Sequence, residues 1–439
     1  MYKRHADSSE EAVSRRHFFY VIIEGNLLIN MKKDGNFPVL IIDLYVFYIC
    51  LIDVLFLPYI KNFHVSISMV LVSFWMMFRF FMTIRDFEFR LFLLAAFFII
   101  FSFIYSKIYP GSILFIDNND VFLISDANLI NTGLILYLFL MYFLSKRVFS
   151  NINPKIDIAL ASYMVFVFSM SILYSVNHEY YTIIRNFWSM SGEQNTQQGV
   201  SIVNRFSNSL SDPNNLAIII CSIFSYLFFN SKLSKNYFIA LFPMLIAIVL
   251  STMSRIGIVA IVLITFLYLL TIILQHKSYL GILMNIGFIA IIVFVAISFL
   301  SYFSSTEVGE ILKLRIFGSD DPISTRIEIW NEVFSLDKFI SSIFIGDGGT
   351  LNIDGYAKKP HNGHIHVLFN YGLIAYVIFV YILFRLRTNS VISKYYFILP
   401  IFIGFTVNVG IYEPRFSGIM GVLIGAYSGE AIRKNHNKI

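Results

Sequence analysis

Blocks of apolar residues recur along this chain, each about 17–25 residues long, the length needed to cross roughly 30 Å of hydrocarbon. No other feature limits the fold so strongly. Of the 439 residues, 57% are hydrophobic and 14% charged, too few charges to cover a soluble domain of this length. The expected fold is an all-α polytopic membrane protein of about twelve transmembrane helices. Spans are expected at about 37–57, 63–84, 89–109, 129–145, 156–176, 214–230, 237–253, 256–275, 282–300, 364–386, 395–412 and 416–432.

Lysine and arginine set the orientation, because they accumulate in cytoplasmic segments. A cytoplasmic N-terminus places Lys3, Arg4, Arg15, Arg16, Lys32 and Lys33 inside, followed by Lys146 with Arg147, Lys232 with Lys235, Arg385 with Arg387, and Arg433 with Lys434. About twelve spans return the chain to its starting side, so both termini are expected in the cytoplasm. The organisation is then a tail over 1–36, a membrane domain over 37–432 and a short tail over 433–439. Two sizeable periplasmic loops follow, at about 177–212 and 301–363. Loops of that size carry function more often than the scaffold beneath them. The segment Phe18–Ile29 is short and carries Glu24, so it is expected at the interface.

The net charge of +6 reflects these topology signals, and no basic stripe interleaved with aromatics points to nucleic acid. Cys50 and Cys221 both sit inside apolar blocks and form no disulfide or metal framework.

Charges at a membrane edge are costly and mark candidate sites. Arg255, in Ser254-Arg255-Ile256-Gly257, stands between two spans on the expected outer face. It is either a turn cation snorkelling to headgroups or an anion site, since guanidinium holds phosphate oxygens bidentately. Arg79, near the inner end of its span, reads as a topology anchor. Asp43 and Asp53 are the acidic candidates in the first span.

Ser324-Thr325-Arg326-Ile327-Glu328-Ile329-Trp330 opens an amphipathic helix with a capping box, Thr325 to Glu328. Its apolar face would comprise Trp330, Val333, Phe334, Ile340 and Phe344, lying along the interface. Arg326 in the first turn stands at the positive end of the helix dipole, a place that favours an arriving anion. A surface arginine without a role is the alternative. Gly346-Asp347-Gly348-Gly349 bends the chain or lets a ligand approach its backbone.

His361, His364 and His366 stand at the mouth of the tenth span. They raise zinc, but no fourth ligand or supporting carboxylate accompanies their spacing, so no metal is expected. Asn362 suits the helix N-cap and leaves His361 just outside the helix. A histidine there fits proton abstraction from a sugar hydroxyl, with a merely polar cap as the alternative. Arg205, Asp212 and Asn214 mark the mouth of the sixth span, and Glu413 with Arg415 the turn before the last, where the two could pair. One face thus collects arginine and histidine, as a phosphate-bearing, membrane-embedded substrate requires.

Together these residues resemble the O-antigen ligase/polymerase superfamily over roughly residues 200–375. Asp212-Pro213-Asn214-Asn215-Leu216-Ala217 resembles its DPNxLA motif, and Ser254-Arg255-Ile256-Gly257 its SRxG turn. Arg326 to Trp330 followed by Gly346-Asp347-Gly348 resembles RxxxW…GxG, and His361-Asn362 with Gly372 resembles HN…G. Ala375 departs from the family's glycine.

The resemblance implies glycan transfer from undecaprenyl diphosphate without a metal or other cofactor. It assigns Arg255 and Arg326 to the diphosphate and His361 to deprotonation of the acceptor hydroxyl. Arg205, Asp212, Asn214, Asn362 and Arg415 would support them. The implied partners are lipid-linked oligosaccharide donor and acceptor, the bilayer, a chain-length regulator and a flippase. Two sizeable outer loops resemble a Wzy-type polymerase of the bacterial inner membrane more than the O-antigen ligase. The rival of another class is a flippase for lipid-linked units, which should show charges near mid-membrane and broken helices.

Overall fold

The computed structural model describes residues 37–58, 66–108, 114–117, 120–188, 197–198, 201–202, 205–208, 210, 212–230, 235–275, 283, 287, 329–335, 343–348, 352–353, 356–357, 362–384 and 413–436. The expected spans at 282–300, apart from residues 283 and 287, and at 395–412 therefore lie outside the described residues, as do Arg326, His361 and the segment Phe18–Ile29. The chain divides into two units, Met1–Tyr45 and Val46–Ile439, and the first is described only from residue 37 onward.

The other ten expected spans are helices. They are α1 (Phe37–Phe56), α2 (Ile67–Thr83), α3 (Phe87–Ile108), α4 (Ile124–Asn151), α5 (Asp157–Val176), α7 (Pro213–Asn230), α8 (Lys235–Thr252), α9 (Arg255–Gln275), α10 (Gly363–Phe384) and α11 (Pro414–His436). Between α5 and α7 stands α6 (His178–Trp188), in a stretch expected as loop. Segments Phe87–Ile108, Leu129–Asn151, Asp157–Val176 and Gly363–Ile382 are long and apolar enough to cross a membrane. Among the described residues the only strands form three short antiparallel ribbons. They pair β1 (Leu114–Asp117) with β2 (Asp120–Leu123), β3 (Gln197–Gln198) with β4 (Ser201–Ile202), and β5 (Asn352–Ile353) with β6 (Tyr356–Ala357). The chain is a helical, multi-pass membrane protein.

Helix starts follow their capping chemistry. Ser66 caps α2 by accepting from Met69 N, and Pro213 and Pro414 occupy first helical positions, where a missing N–H costs nothing. α11 packs along α4 through glycines four residues apart, Gly421, Gly425 and Gly429. A Cβ at Gly421 would come within 2.6 Å of Leu138 O, and one at Gly425 would collide with Tyr142 O. Small residues at this spacing let backbones approach where lipid offers no hydrophobic drive for association.

Side-chain contacts sort helix ends into two sets. At one end, Lys146 Nζ on α4 bonds Asp86 Oδ2 and Glu88 Oε2, both at 2.7 Å, and Tyr142 Oη donates to the same Glu88 oxygen. Tyr226 on α7 donates to Glu430 of α11 there, and Arg433 donates to Asn153. Lys146, expected as a topology signal, is a buried ion-pair partner. Arg79, expected as a topology anchor, is also buried, 8% exposed.

α6 is amphipathic. Tyr181 and Arg185 face inward, while Val176, Tyr180, Ile183 and Phe187 form an exposed apolar stripe along its other side, continuous with the end of α5. A helix with this pattern suits the boundary between headgroups and acyl chains.

Candidate functional site

The motif residues form two junctions. In the first, Asp212 Oδ1 accepts from Asn214 N at 2.7 Å and so caps α7. Ser254 caps α9 in the same way, its Oγ accepting from Gly257 N at 3.2 Å. The Ser254 hydroxyl also donates to Asn214 Oδ1 at 2.9 Å, and Arg205 Nη2 donates to that same oxygen at 3.1 Å. Arg205 Nε continues to Thr252 O at 3.1 Å, so one guanidinium ties the mouth of α7 to the turn between α8 and α9. Met253 in that turn has φ +49°, a left-handed conformation held by these bonds.

Glycine and alanine complete the fit. A Cβ at Gly257 would approach Ala217 Cβ to 2.8 Å and Val249 Cγ1 to 2.7 Å, so α9 approaches α7 and α8 only because residue 257 has no side chain. The Asp212–Ala217 and Ser254–Gly257 motifs therefore interlock, cap to cap and small residue to small residue. Arg255 is the first residue of α9, half-buried, at the positive end of that helix.

The turn before α11 joins the same junction. Glu413 Oε2 accepts from Asn215 Nδ2 at 2.9 Å. Arg415 donates from Nη2 to Leu57 O at 2.7 Å and is fully buried. Expected at the outer turn before the last span, Arg415 is buried there, because the start of α11 packs against the end of α1. Asp53 is buried too, its Oδ2 accepting from Ser68 N at 2.8 Å.

The second junction surrounds α10. Asn362 Oδ1 accepts from His364 N at 3.0 Å and Ile365 N at 3.1 Å, the N-cap expected of it. His364 lies beside Tyr376, its Nδ1 3.4 Å from the hydroxyl, and His366 is buried. Further along, α10 breaks at Gly372, φ +83°. The break exposes carbonyls that a continuous helix would bond, and Gly346-Asp347-Gly348 takes them. Asp347 N donates to Phe369 O and Gly348 N to Asn370 O, each at 2.9 Å. Ser102 of α3 bridges the pair, donating to Asn370 O at 2.8 Å and accepting from Gly348 N at 3.0 Å.

Gly346 and Gly348 also have positive φ, and a Cβ at Gly372 would strike Phe344 O. The helical turn 329–333 packs here too, Trp330 and Val333 against Ile365 and Phe369, with Phe334 edge-on to Phe369 at 5.6 Å. Phe344, placed on the same apolar face by its spacing, is exposed.

A third group went unnoticed in the sequence. Arg185 on α6 is 2% exposed and donates from Nε to Asn208 O at 3.1 Å and from Nη2 to Ser207 Oγ at 3.2 Å. Asn208 N donates to Tyr181 Oη at 3.2 Å. Burial pushes the Tyr181 phenol up to about 12, with the Arg185 charge pulling partly against it. The strap of Arg205 to Asn208 is thus pinned by α6 at one end and by the first junction at the other. Phe206 packs between Tyr174 and Tyr181, each ring 5.6 Å away. Only the four-residue spacing of Tyr181 and Arg185 signals this in the sequence.

The structure thus joins Arg205, Asp212, Asn214 and the start of α9 with Arg255, places Arg415 just behind them, and sets Asn362 at the second junction. Among the described residues no group of three or more histidine, cysteine, aspartate or glutamate side chains could hold a metal ion. A search of curated proteins found none that matches the chain. The family model described as O-antigen ligase matches residues 239–380, which hold Arg255, Arg326, His361 and Gly372 but neither the Asp212–Ala217 motif nor Arg415. That stretch is thus similar to the O-antigen ligase family, consistent with the O-antigen ligase/polymerase superfamily that the motifs resemble.

Proposed function

We propose that the protein is a polysaccharide polymerase. It joins undecaprenyl-diphosphate-linked repeat units on the periplasmic face of the inner membrane, with about twelve spans and both termini cytoplasmic. The O-antigen ligase match, which takes in Arg255, Arg326 and His361 in order, supports a ligase/polymerase-type role, and the two sizeable outer loops favour the polymerase within it.

The reaction would run in one displacement. The acceptor hydroxyl attacks the anomeric carbon of the donor sugar, and the bond from that carbon to the diphosphate oxygen breaks. The hydroxyl proton passes to His361, and undecaprenyl diphosphate leaves with its new charge held by Arg255 and Arg326. The capped start of α9 supports this, since backbone N–H groups and a guanidinium there favour an anion.

A broken helix was the mark expected of a flippase, and α10 is broken. Its freed carbonyls are taken up by Asp347, Gly348 and Ser102, so the break is packed with protein and is no argument for transport.

The test is purified full-length protein with a synthetic lipid-linked repeat unit, alone or with lipid A core. A ladder of lipid-linked oligomers supports the polymerase. Transfer only onto lipid A core identifies the ligase, and neither product overturns both. Reporter fusions near Asp354 and after Ile439 test the sidedness, active as a periplasmic and a cytoplasmic reporter respectively.

A further inference from the structure

Arg185 carries a charge that no described carboxylate neutralises. It is 2% exposed, yet among the described residues it forms no ion pair, and its Nη1 has no hydrogen-bond partner. Asn208, 2% exposed, leaves its Nδ2 equally unpartnered. The two residues touch, Arg185 Nε donating to Asn208 O at 3.1 Å, so both unpartnered donors belong to one buried contact. Burying a cation and an amide in this way is unfavourable unless an acceptor arrives to satisfy both.

The backbone is shaped for the arrangement. Asn208 adopts φ +51°, a conformation few residues other than glycine and asparagine accept at low cost. It is held there through its own N–H on Tyr181 and its C=O on Arg185, so its side chain is not needed for the fold of the strap.

Depth decides the ligand. The exposed stripe of Val176, Tyr180, Ile183 and Phe187 seats α6 at the boundary between headgroups and acyl chains. Arg185 lies on the opposite face of the same helix, at the depth where lipids carry their phosphates.

We propose that Arg185 and Asn208 form an anion subsite for phosphate oxygens, distinct from the diphosphate residues Arg255 and Arg326. It is coupled to the first junction through the strap, because Arg205 lies three residues from Asn208 and bonds Asn214. The ligand is a lipid-borne phosphate, from either the polyprenyl diphosphate of the substrate or a bilayer headgroup. Its identity as substrate rests on the function proposed above. The binding does not.

The test is calorimetric titration of inorganic pyrophosphate into the full chain in nanodiscs of zwitterionic lipid, at fixed salt. Two binding events are expected. Arg185→Gln and Asn208→Gly should each remove one event or weaken it at least tenfold, while Arg255→Gln leaves that event in place. Asn208→Gly keeps the left-handed backbone and both main-chain bonds, so it isolates the amide donor from folding. Nanodiscs rich in phosphatidylglycerol separate the sources. Suppression of the Arg185-dependent event there assigns the subsite to headgroups, and its persistence assigns it to the substrate diphosphate. Wild-type binding by both variants, with unchanged elution and thermal stability, overturns the subsite. The Arg185-dependent event in a protein that does not elongate lipid-linked units upholds it and sinks the polymerase reading alone.

Discussion

Arg205 donates to Oδ1 of Asn214 at 3.1 Å, and the hydroxyl of Ser254, forty residues further along, shares that acceptor at 2.9 Å. One amide oxygen therefore sets the strap, the mouth of α7 and the cap of α9 in register. Asn214→Ala removes the acceptor and strands two donors, a loss of roughly 1–3 kcal/mol for each that stays buried. Asn214→Asp keeps an oxygen in place and adds attraction to Arg205. Activity and thermal stability in detergent should fall in the order wild type, Asp, Ala. An Ala variant as stable and active as wild type would show that the shared acceptor matters little.

The second junction is held by glycine. Gly372 has φ +83°, and any Cβ there meets Phe344 O, while Gly346 has φ +84° and faces Asn370 O. Alanine at either position carries the left-handed penalty of about 1–2 kcal/mol and a clash with backbone that has little room to yield. Gly372→Ala and Gly346→Ala should both lower the yield of monodisperse protein on gel filtration. Gly133→Ala, in open space on α4, should not. Equal behaviour of all three would refute the interlock.

At the opposite helix ends, Lys146 is a buried cation between two carboxylates. Removing one partner of a buried pair leaves an uncompensated charge and costs roughly 3–5 kcal/mol. Lys146→Met should therefore unfold well below wild type. Removing Glu88 as well should recover part of the loss, because the stranded carboxylate goes with it. A double-mutant cycle with no coupling would contradict the ion pair.

Apolar block length was enough to find the ten long described helices, four of them long and apolar enough to cross a membrane, because lipid leaves a segment of that length and polarity one outcome. α6 escaped because it is half the length of a span and mixes polar with apolar residues; its signal is a spacing, not a block. The four motifs were legible as motifs. Their pairing was not, since Asn214 meets Ser254, and Gly348 meets Asn370 and Ser102, across separations that local pattern cannot reach. The same limit hid the burial of Arg79 and Arg415. Hydropathy reports that a cation lies near the end of a span but not whether a neighbouring helix covers it. The capping role of Asn362, a purely local property, was readable in full.

The decisive prediction concerns the chemistry. A sugar hydroxyl is a poor nucleophile, so a base must take its proton as the bond to the anomeric carbon forms. The departing diphosphate gains charge at the same moment, and fixed cations stabilise it more in the transition state than in the ground state. His361→Ala should cost roughly 10²–10⁴-fold in elongation rate, the usual worth of a positioned base, with the protein still inserted and monodisperse. Arg255→Lys and Arg326→Lys should also impair elongation, because an ammonium does not reproduce the guanidinium fork. His364→Ala should be mild, its ring resting beside Tyr376. His366 is 3% exposed, so His366→Ala should lower stability while leaving turnover per folded molecule much closer to wild type. Chelator should leave the rate unchanged. Near-normal elongation by His361→Ala would remove the general base, and abolition by chelator would point instead to a metal held by the histidines.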